Sequence, residues 1–478
     1  MPAGGGLLQL VATGKQDLFL VGNPQISFFK MVYRRHTNFA TECQPMYFDG
    51  TPNFGQRITC LVPRRGDLLG RVYLDVTLPQ IYDASGNALS YTNAIGHALI
   101  TEITFEVGEQ EIDRQTGEWM EIWTQMTTPA GQRDALNQMI GRLDQYIEPQ
   151  TSAVPIENII APGPQSEGLR LLIPLQFYFC NNPGLYIPLL ALQYSPIRIN
   201  ITLTPLQQLF WANPYNYPAL VPNPAVDQSN WKPACQISVD CTSQIVNMML
   251  WGEYVYLDVE ERRTFVSTSH EYLIEQVQYT PPYSITNQQT TATVSVEFNH
   301  PIKEFFFVAQ RDEMINRNEW FNYSSRAILE PVSPAVTPYL NLINSPDGRT
   351  DLISLAKLQL DGYDRFPNRG PFYFRLQQPY DHHTTTPVSA YIYNYCFALR
   401  PEDAQPTGTM NASRIDSIVW QIQMNPILSQ QFYTTGTPPV TVPVPESQQR
   451  GPCHIVVYGH NYNVFRVING FGGLLFTI

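Results

Sequence analysis

Apolar and polar residues alternate with a period of two along much of the chain. Such alternation predicts β-strands with one face in a hydrophobic core and the other face in water. The stretches with this pattern are Val72–Leu78, Ile103–Val107, Ile197–Leu203, Gly252–Asp258, Val294–Phe298 and Ile418–Met424. Because these stretches recur along the chain, the pattern predicts an all-β protein built of antiparallel β-sandwiches.

A helical pattern stands out mainly once in the first half of the chain. Thr116 can cap a helix that has one apolar face, formed by Trp119, Met120, Ile122, Trp123 and Met126. A second short helix is predicted at Arg133–Ile140. We interpret both as insertions that pack on a β-sandwich rather than as a cofactor site.

The pattern divides the chain into a Gly-rich N-terminal arm at residues 1–25 and two large β regions at 26–262 and 268–478. The charged run Glu260–Arg263 is interpreted as the break between the two regions. A weak internal repeat relates Arg57–Val62 and Leu69–Leu78 to Thr293–Phe298 and Ile302–Val308, which is consistent with one β fold used twice. Pro-rich stretches at 204–233, 333–347 and 434–452 predict long loops.

Composition narrows the class of protein. Of 478 residues, 15% are charged and 12% are aromatic, which argues against a disordered chain and a coiled coil. A net charge of −12 repels phosphates, so nucleic acid is not expected as a direct partner. No apolar run reaches the roughly 18 residues of a membrane span. The seven cysteines are scattered and form no CxxC motif, so we expect reduced thiols that are mostly buried.

The sequence carries no catalytic signature, because GxSxG, P-loop and HExxH motifs are all absent. His382 and His383 form the only adjacent histidine pair, and in a strand their rings would point to opposite faces, so no metal site is expected. Asp361 and Asp364 flank an Asp-Gly turn rather than forming an acid–base pair. We therefore expect no catalytic, cofactor-binding or metal-binding residues, and a structural or binding role rather than an enzyme.

Four groups of motifs carry a resemblance to a known family. In chain order they are Gly6–Ala12 with Gly22–Lys30 and Tyr33–Phe39; Gly66–Leu69 with Tyr73–Pro79; Tyr256–Asp258 with Glu261–Arg263 and His270–Gln276; and Phe397–Asp403 with Gln405–Asp416. On these motifs, nearly the whole chain resembles the major capsid proteins of nucleocytoplasmic large DNA viruses. The fourth group is the longest and the most specific.

The resemblance implies a double jelly roll, in which two eight-stranded antiparallel β-sandwiches stand side by side with short helical insertions and long loops. It also implies a homotrimer with a pseudo-hexagonal outline that tiles the outer shell of an icosahedral capsid beside neighbouring capsomers. The N-terminal arm is expected at the inner face, where it meets minor capsid proteins near an internal membrane. The expected location is the virion, after assembly in the host cell cytoplasm.

The fourth group of motifs supplies candidate subunit-contact residues. They are Pro401, Glu402, Asp403, Gln405, Pro406, Gly408, Asn411, Arg414 and Asp416. Turn formers, together with local side-chain bonds from Asn411 and Ser413, predict a rigid segment. Arg414 and Asp416 are placed to pair along one strand face. Two interpretations stay open, namely a fixed loop between strands and a contact between subunits.

Three alternative functions also stay open. The first is a double jelly-roll protein with a minor capsid or scaffolding role. The second is a lectin or enzyme built on a β-sandwich. The third is a cell-attachment protein that uses the loops or the tripeptide Arg65-Gly66-Asp67, although the position of this tripeptide between strands favours a turn in which Asp67 bonds to its own backbone.

Overall fold

The computed structural model of the protein describes residues 4–82, 88–89, 91–142, 169–210, 244–286, 289–316, 318–325, 351–425, 429–432, 440–443 and 451–477. Most of the predicted Pro-rich loops therefore lie outside the described residues. The contacts within the chain divide it into two compact units, residues 1–39 and residues 40–478. Five cysteines lie in the described residues; Cys43 is exposed, and the other four are buried.

The first unit contains two short helices, α1 (Gly5–Val11) and α2 (Leu18–Val21). None of its described residues is buried, and it exposes large apolar side chains such as Phe19, Phe28 and Phe29. The first strand begins only at Phe39. The first unit is therefore longer than the predicted arm, which covers residues 1–25.

The first half of the larger unit is a β-sandwich of antiparallel strands. Its strands are β1 (Phe39–Met46), β2 (Arg57–Leu61), β3 (Leu68–Leu78), β4 (Ile81–Tyr82), β5 (Ala88–Leu89), β6 (Ile100–Val107), β7 (Gln110–Thr116), β8 (Leu169–Pro174), β9 (Ile187–Pro188), β10 (Ile197–Leu203) and β11 (Asn247–Leu257). One sheet has the order β1-β11-β3-β8, and the facing sheet has the order β2-β10-β6-β7.

The second half repeats this plan. Its strands are β12 (His270–Tyr279), β13 (Tyr283–Ile285), β14 (Thr291–Val296), β15 (Pro301–Arg311), β16 (Ile353–Leu360), β17 (Tyr363–Asp364), β18 (Tyr393–Cys396), β19 (Met410–Asn411), β20 (Ile418–Met424), β21 (Ser429–Phe432), β22 (Val440–Pro443), β23 (Cys453–Ile468) and β24 (Phe471–Leu474). The two main sheets have the orders β12-β23-β15-β18 and β14-β20-β16-β17.

The strand orders of the two halves match position by position. The sheet β1-β11-β3-β8 corresponds to β12-β23-β15-β18, and β2-β10-β6-β7 corresponds to β14-β20-β16-β17. The weak internal repeat in the sequence falls on strands in equivalent positions, because β2 and β3 correspond to β14 and β15. The predicted all-β fold, two eight-stranded jelly rolls, is confirmed.

Short helices fill the connections between strands. They are α3 (Ile95–Ala98), α4 (Gly117–Thr127), α5 (Ala130–Ile140), α6 (Tyr178–Asn181), α7 (Val259–Ser267), α8 (Asp312–Asn316) and α9 (Gln378–His382), with 3-10 turns at Pro183–Leu185, Leu206–Gln208 and Ala412–Arg414 and a π-helical turn at Tyr373–Gln377. Across the described ranges, every helix is too short or too polar to cross a membrane.

The two predicted helical insertions are confirmed as α4 and α5. The Thr116 hydroxyl accepts a hydrogen bond from the Trp119 backbone N–H at 3.1 Å, which caps α4 as expected. Helix α5 starts at Ala130, three residues before the predicted start, directly after Pro129, whose φ of −58° suits entry into a helix.

The charged run between the two halves forms a helix rather than an irregular break. The side chain of Asp258 caps α7, and Glu260 and Glu261 stand in its first turn, where negative charge favours a helix. Arg262 in this helix lies 3.2 Å from the carboxylate of Asp67. The Asp67 carboxylate also accepts the backbone N–H of Leu257 at 2.9 Å. The expected turn in which Asp67 bonds to its own backbone is therefore wrong, because both carboxylate oxygens are directed at Leu257 and Arg262.

Buried apolar side chains in the described residues form three clusters. One fills the first sandwich and another fills the second. The third lies at the junction between them, where Trp119 and Trp123 of α4 pack against Phe306 and Tyr458 of the second sandwich. The two tryptophan rings stack at 5.6 Å, and Trp119 meets Phe306 edge to face at 5.4 Å. Helix α4 therefore joins the two sandwiches into one body.

We predict that Trp119→Ala lowers the free energy of unfolding by about 3–5 kcal/mol, because it opens a cavity at this junction. Urea unfolding followed by circular dichroism measures the loss. Tyr363→Ala is the matched control, since the Tyr363 side chain is 81% exposed, and it should change stability by no more than about 0.5 kcal/mol. Equal effects of the two substitutions would contradict the assigned junction.

Candidate functional site

The segment 401–416 crosses the second sandwich from the end of β18 to the start of β20. On the way it pairs with β15, as Met410 lies opposite Ile302 and Asn411 lies opposite Pro301. Pro401 and Met410 are buried, so the segment is anchored to the sandwich at separate points.

Glu402 holds the start of this segment in place. Its carboxylate accepts a hydrogen bond from the backbone N–H of Thr384 at 2.9 Å and another from the Thr384 hydroxyl. The Nδ1 atom of His383 lies 2.9 Å from the same carboxylate. Beside it, the carbonyl of Pro401 accepts a hydrogen bond from the Lys303 ammonium at 2.7 Å. Glu402 and Pro401 thus face the protein interior.

The middle of the segment is held by local hydrogen bonds, and its predicted rigidity stays a prediction. Asn411 accepts a bond from the Ser413 backbone N–H at 3.1 Å, and the Ser413 hydroxyl accepts one from the His300 backbone N–H at 2.8 Å. Gly408 has a φ of +143°, and a Cβ at this position would lie 3.0 Å from the carbonyl oxygen of Phe397. A side chain at Gly408 would therefore strain the backbone.

The remaining candidate residues lie on the surface, as Asp403, Gln405, Pro406, Arg414 and Asp416 are all exposed. The predicted strand that would align Arg414 with Asp416 is wrong, because Ala412–Arg414 form a 3-10 turn instead. A short local hydrogen-bonding pattern competes successfully with strand pairing here. A subunit contact through this exposed group remains a prediction.

Beneath the segment lies a buried row of charged and polar side chains. Acidic and basic types alternate along it, in the order Lys303, Glu275, His460, Glu304, His383 and Glu402. Successive distances between the facing atoms are 2.6, 3.4, 3.1, 2.9 and 2.9 Å. Lys303, Glu304 and His383 have no exposed side-chain surface. Each buried group thus has an oppositely charged or hydrogen-bonding neighbour.

A bulge in β15 lets two consecutive residues of this row, Lys303 and Glu304, both face away from the core of the second sandwich. The register between β15 and β23 shifts between Ile302 and Glu304. Ile302 and Phe305 both belong to the core of the second sandwich, although strict alternation would put them on opposite faces. The extra residue lets Lys303 and Glu304 together avoid that core.

Burial and neighbouring charges act in opposite directions on the pKa values in this row. Burial alone would raise the pKa of Glu304, but His383 and then His460 outweigh it and hold the pKa well below its ordinary value. For Glu275, Lys303 and His460 likewise overcome burial and lower the pKa to about 2. Burial would lower the pKa of His383, but Glu304 and Glu402 raise it to about 9. Near neutral pH, this part of the row is therefore ionised.

The histidine pair adopts a different geometry from the predicted one. His382 ends helix α9, and His383 follows it, so the two residues do not alternate along a strand. The ring of His383 enters the interior, whereas that of His382 contacts the carbonyl of Leu399 at 2.9 Å. Glu304, His383 and Cys396 each offer one donor atom, and these atoms lie within 4.8 Å of one another, an arrangement that could hold a metal ion. This group could not be predicted from the sequence, because its members are far apart in the chain.

The other residues that the sequence analysis considered have structural roles in the part of the chain that the structure describes. Asp361 and Gly362 have positive φ angles and form a turn, as predicted, and Asp361 accepts the backbone N–H of Ser417 at 2.9 Å. Asp364 bonds to Lys357 and Gln359. Asp67 is only 5% exposed, and its carboxylate is bonded internally, which argues against receptor binding through this tripeptide.

We predict that Lys303→Met lowers the free energy of unfolding by about 3–5 kcal/mol, because the largely buried Glu275 carboxylate then loses the nearer of its two partners. The double variant Lys303→Met/Glu275→Leu should recover most of the loss, since both charges are removed together. Urea unfolding of the wild type, both single variants and the double variant gives the coupling energy. Purely additive effects would show that the pair is not coupled.

Asp113, at the junction of the sandwiches, should make stability depend on pH. Its carboxylate accepts bonds from the side chain of Gln115 at 2.8 Å and from the backbone N–H of Val277 at 3.3 Å. Burial raises the pKa of Asp113 from 3.8 to about 7. The native chain therefore keeps a proton that the unfolded chain releases, so the free energy of unfolding falls as pH rises from about 4 to about 7.

We predict that Asp113→Asn removes this dependence. Relative to the wild type, the variant should gain about 3 kcal/mol of stability between pH 5 and pH 8. Urea unfolding at the two pH values measures the change. Asp134→Asn, at an exposed position of α5, should show a constant difference from the wild type. The same constant difference for Asp113→Asn would refute the assigned titration.

Comparison with known proteins identifies the family. Residues 27–258 match the family model described as major capsid protein N-terminus, and residues 261–473 match the model for large eukaryotic DNA virus major capsid protein. The chain is 33% identical to the major capsid protein of Phaeocystis pouchetii virus, covering 99% of each chain. It is 34% identical to that of Pyramimonas orientalis virus, covering 99% of this chain and all of the relative.

Solved structures agree with this result. A chain in the quasi-atomic model of the PBCV-1 virus capsid is 26% identical, with a TM-score of 0.71, and the match covers 95% of this chain and all of that one. The Faustovirus major capsid protein has the same fold at 13% identity, with a TM-score of 0.67 over 97% of this chain and 96% of that one. The chain therefore belongs to the major capsid protein family of large eukaryotic DNA viruses.

Proposed function

We propose that this protein forms the outer shell of an icosahedral virion by assembling as a homotrimer with a pseudo-hexagonal outline. The observation that carries this proposal is the matching strand order of the two sandwiches in one chain. Three chains around a threefold axis bring six similar sandwiches together, and such a unit can tile a hexagonal lattice beside its neighbours. The family is structural rather than enzymatic, which fits a role in assembly.

The exposed part of segment 401–416 is the proposed subunit contact. Its shape is fixed from below by Glu402, Gly408 and Ser413, so little conformational freedom would be lost on binding. Arg414 and Asp416 present opposite charges on the outside of this rigid frame. Such polar contacts give specificity between copies more than they give affinity.

The N-terminal arm at residues 1–25, together with the rest of the first unit up to Phe39, is the proposed contact with minor capsid proteins at the inner face of the shell, near an internal membrane. Its apolar side chains are exposed throughout residues 7–33, and burying them against a partner is favourable. In this proposal the virion is the site of action, and assembly takes place in the host cytoplasm.

Light scattering on the purified chain tests the trimer. We expect a mass close to three times the 54.4 kDa of one chain, with hexagonal outlines in negative-stain images of the same peak. Deletion of residues 1–38 should leave the number of chains unchanged, because the proposed partners of the arm are other proteins. A stable folded monomer would contradict the homotrimer and favour the minor capsid or scaffolding role.

A charge reversal separates the two interpretations of segment 401–416. If the segment is a subunit contact, Arg414→Glu should shift the population from trimer towards monomer. Arg365→Glu makes the same change in charge at an exposed position beside β17 and is the matched control. An unchanged trimer fraction in Arg414→Glu would leave the segment as a fixed inter-strand loop.

A further inference from the structure

Three potential metal ligands converge at one buried point under segment 401–416. Glu304 comes from β15, Cys396 ends β18, and His383 follows α9. Glu304 Oε2 and His383 Nε2 are 2.9 Å apart, and Cys396 Sγ lies 3.6 Å from the first and 3.8 Å from the second. Glu304 and His383 have no exposed side-chain surface, and Cys396 is only 8% exposed.

We propose that Glu304, His383 and Cys396 bind a structural Zn²⁺ ion, a role that goes beyond assembly of the shell. Zinc takes thiolate, imidazole and carboxylate ligands in a tetrahedron, with distances of about 2.3 Å to sulfur and about 2.0 Å to nitrogen or oxygen. The edges of such a tetrahedron are about 3.3–3.5 Å long. The three observed distances lie close to these edges, so binding requires movements of only a few tenths of an ångström.

The side chain of Asn394 contacts two of the three proposed ligands. Its Oδ1 atom lies 2.9 Å from Cys396 Sγ, and its Nδ2–H donates to Glu304 at 3.1 Å. Asn394 is fully buried in β18, two residues before Cys396, so both side chains leave the same face of the strand. The amide of Asn394 therefore lies beside the cluster and is bonded to two of its three members.

The groups around the three ligands have the arrangement that metal sites require. A ligating histidine usually donates its other ring N–H to a carboxylate, which fixes the ring and its tautomer. His383 Nδ1 lies 2.9 Å from Glu402 in just this way, which leaves Nε2 directed at the cluster. The second oxygen of Glu304 lies 3.1 Å from His460 Nδ1. Both outer partners thus hold the ligands in the binding orientation.

Charge balance favours the ion as well. Since metal ligands bind in their deprotonated forms, a bound Zn²⁺ would have the Glu304 carboxylate, a neutral His383 imidazole and the Cys396 thiolate around it. The two negative charges of the carboxylate and the thiolate balance the two positive charges of the ion, so the bound cluster carries no uncompensated charge in the interior. A thiolate ligand also favours zinc over magnesium or calcium.

Metal analysis of the full-length chain tests this proposal. After expression with added Zn²⁺ and gel filtration, elemental analysis should find about one zinc per chain. Cys396→Ala should lose this zinc, whereas Cys180→Ala, which removes another buried thiol, should keep it. The count is made on whichever oligomer elutes, so it does not depend on the trimer. Wild-type protein without zinc, or full zinc in Cys396→Ala, would overturn the site.

A second variant tests the same site while leaving all three proposed ligands in place, so its result does not depend on whether Cys396→Ala folds. Glu402→Gln keeps an oxygen that can accept from His383 and Thr384, so the fold should persist, but zinc affinity should fall by about 10–100-fold. Competition with a chelator measures this affinity. Cobalt in place of zinc should show a thiolate-to-metal absorption band in the wild type. Unchanged affinity in Glu402→Gln, together with no such band in the wild type, would contradict the proposal.

Discussion

The sheet β12-β23-β15-β18 must bury both of its faces, and much of the structure follows from this constraint. One face packs into the core of the second sandwich, and the other meets α4 and the first sandwich at the junction. Strand β15 shows the result, since its residues from Ile302 to Gln310 are all buried. A polar side chain on this strand cannot reach water and must find its partner inside the protein.

The buried row of charged side chains satisfies that constraint, because it supplies interior partners for the polar side chains of β15. Lys303 and Glu304 stand on β15, and their partners come from β12, β23 and the segment after α9. The row therefore ties together strands and connections that are distant in sequence. Glu402 extends the row to segment 401–416, so this surface segment is anchored to charged side chains in the interior. The shape of this part of the surface is thus linked to the interior of the second sandwich.

The sequence predicts the fold well wherever one face of a strand is exposed to solvent. Val72–Leu78, Ile197–Leu203 and Ile418–Met424 alternate cleanly, and each is a strand in the structure. The capping role of Thr116 was equally visible, because a cap depends on residues only three positions apart. Such local signals need no knowledge of the rest of the chain.

The interior site could not be predicted in this way. His383 and Glu402 are 19 residues apart, and Glu304 and His460 are 156 apart, so their pairing exists only after the sandwich has closed. The bulge at Lys303 also breaks the period on which strand prediction relies. Segment 401–416 was recognised from its resemblance to a family, but its inward-facing partners were not. The helix α7 was missed because charged residues at its start stabilise a helix as readily as they interrupt a strand.

The sheet order also has a consequence for synthesis on the ribosome. Strand β1 begins at Phe39, but its neighbour β11 begins only at Asn247, and β12 must likewise wait for β23. At about 5–20 residues per second, the first of these partners emerges roughly 10–40 s later. Each sandwich thus spends that interval with an unpaired strand edge, and such edges associate readily with other chains. Efficient production of this protein then depends on protection of nascent chains as much as on the stability of the finished fold.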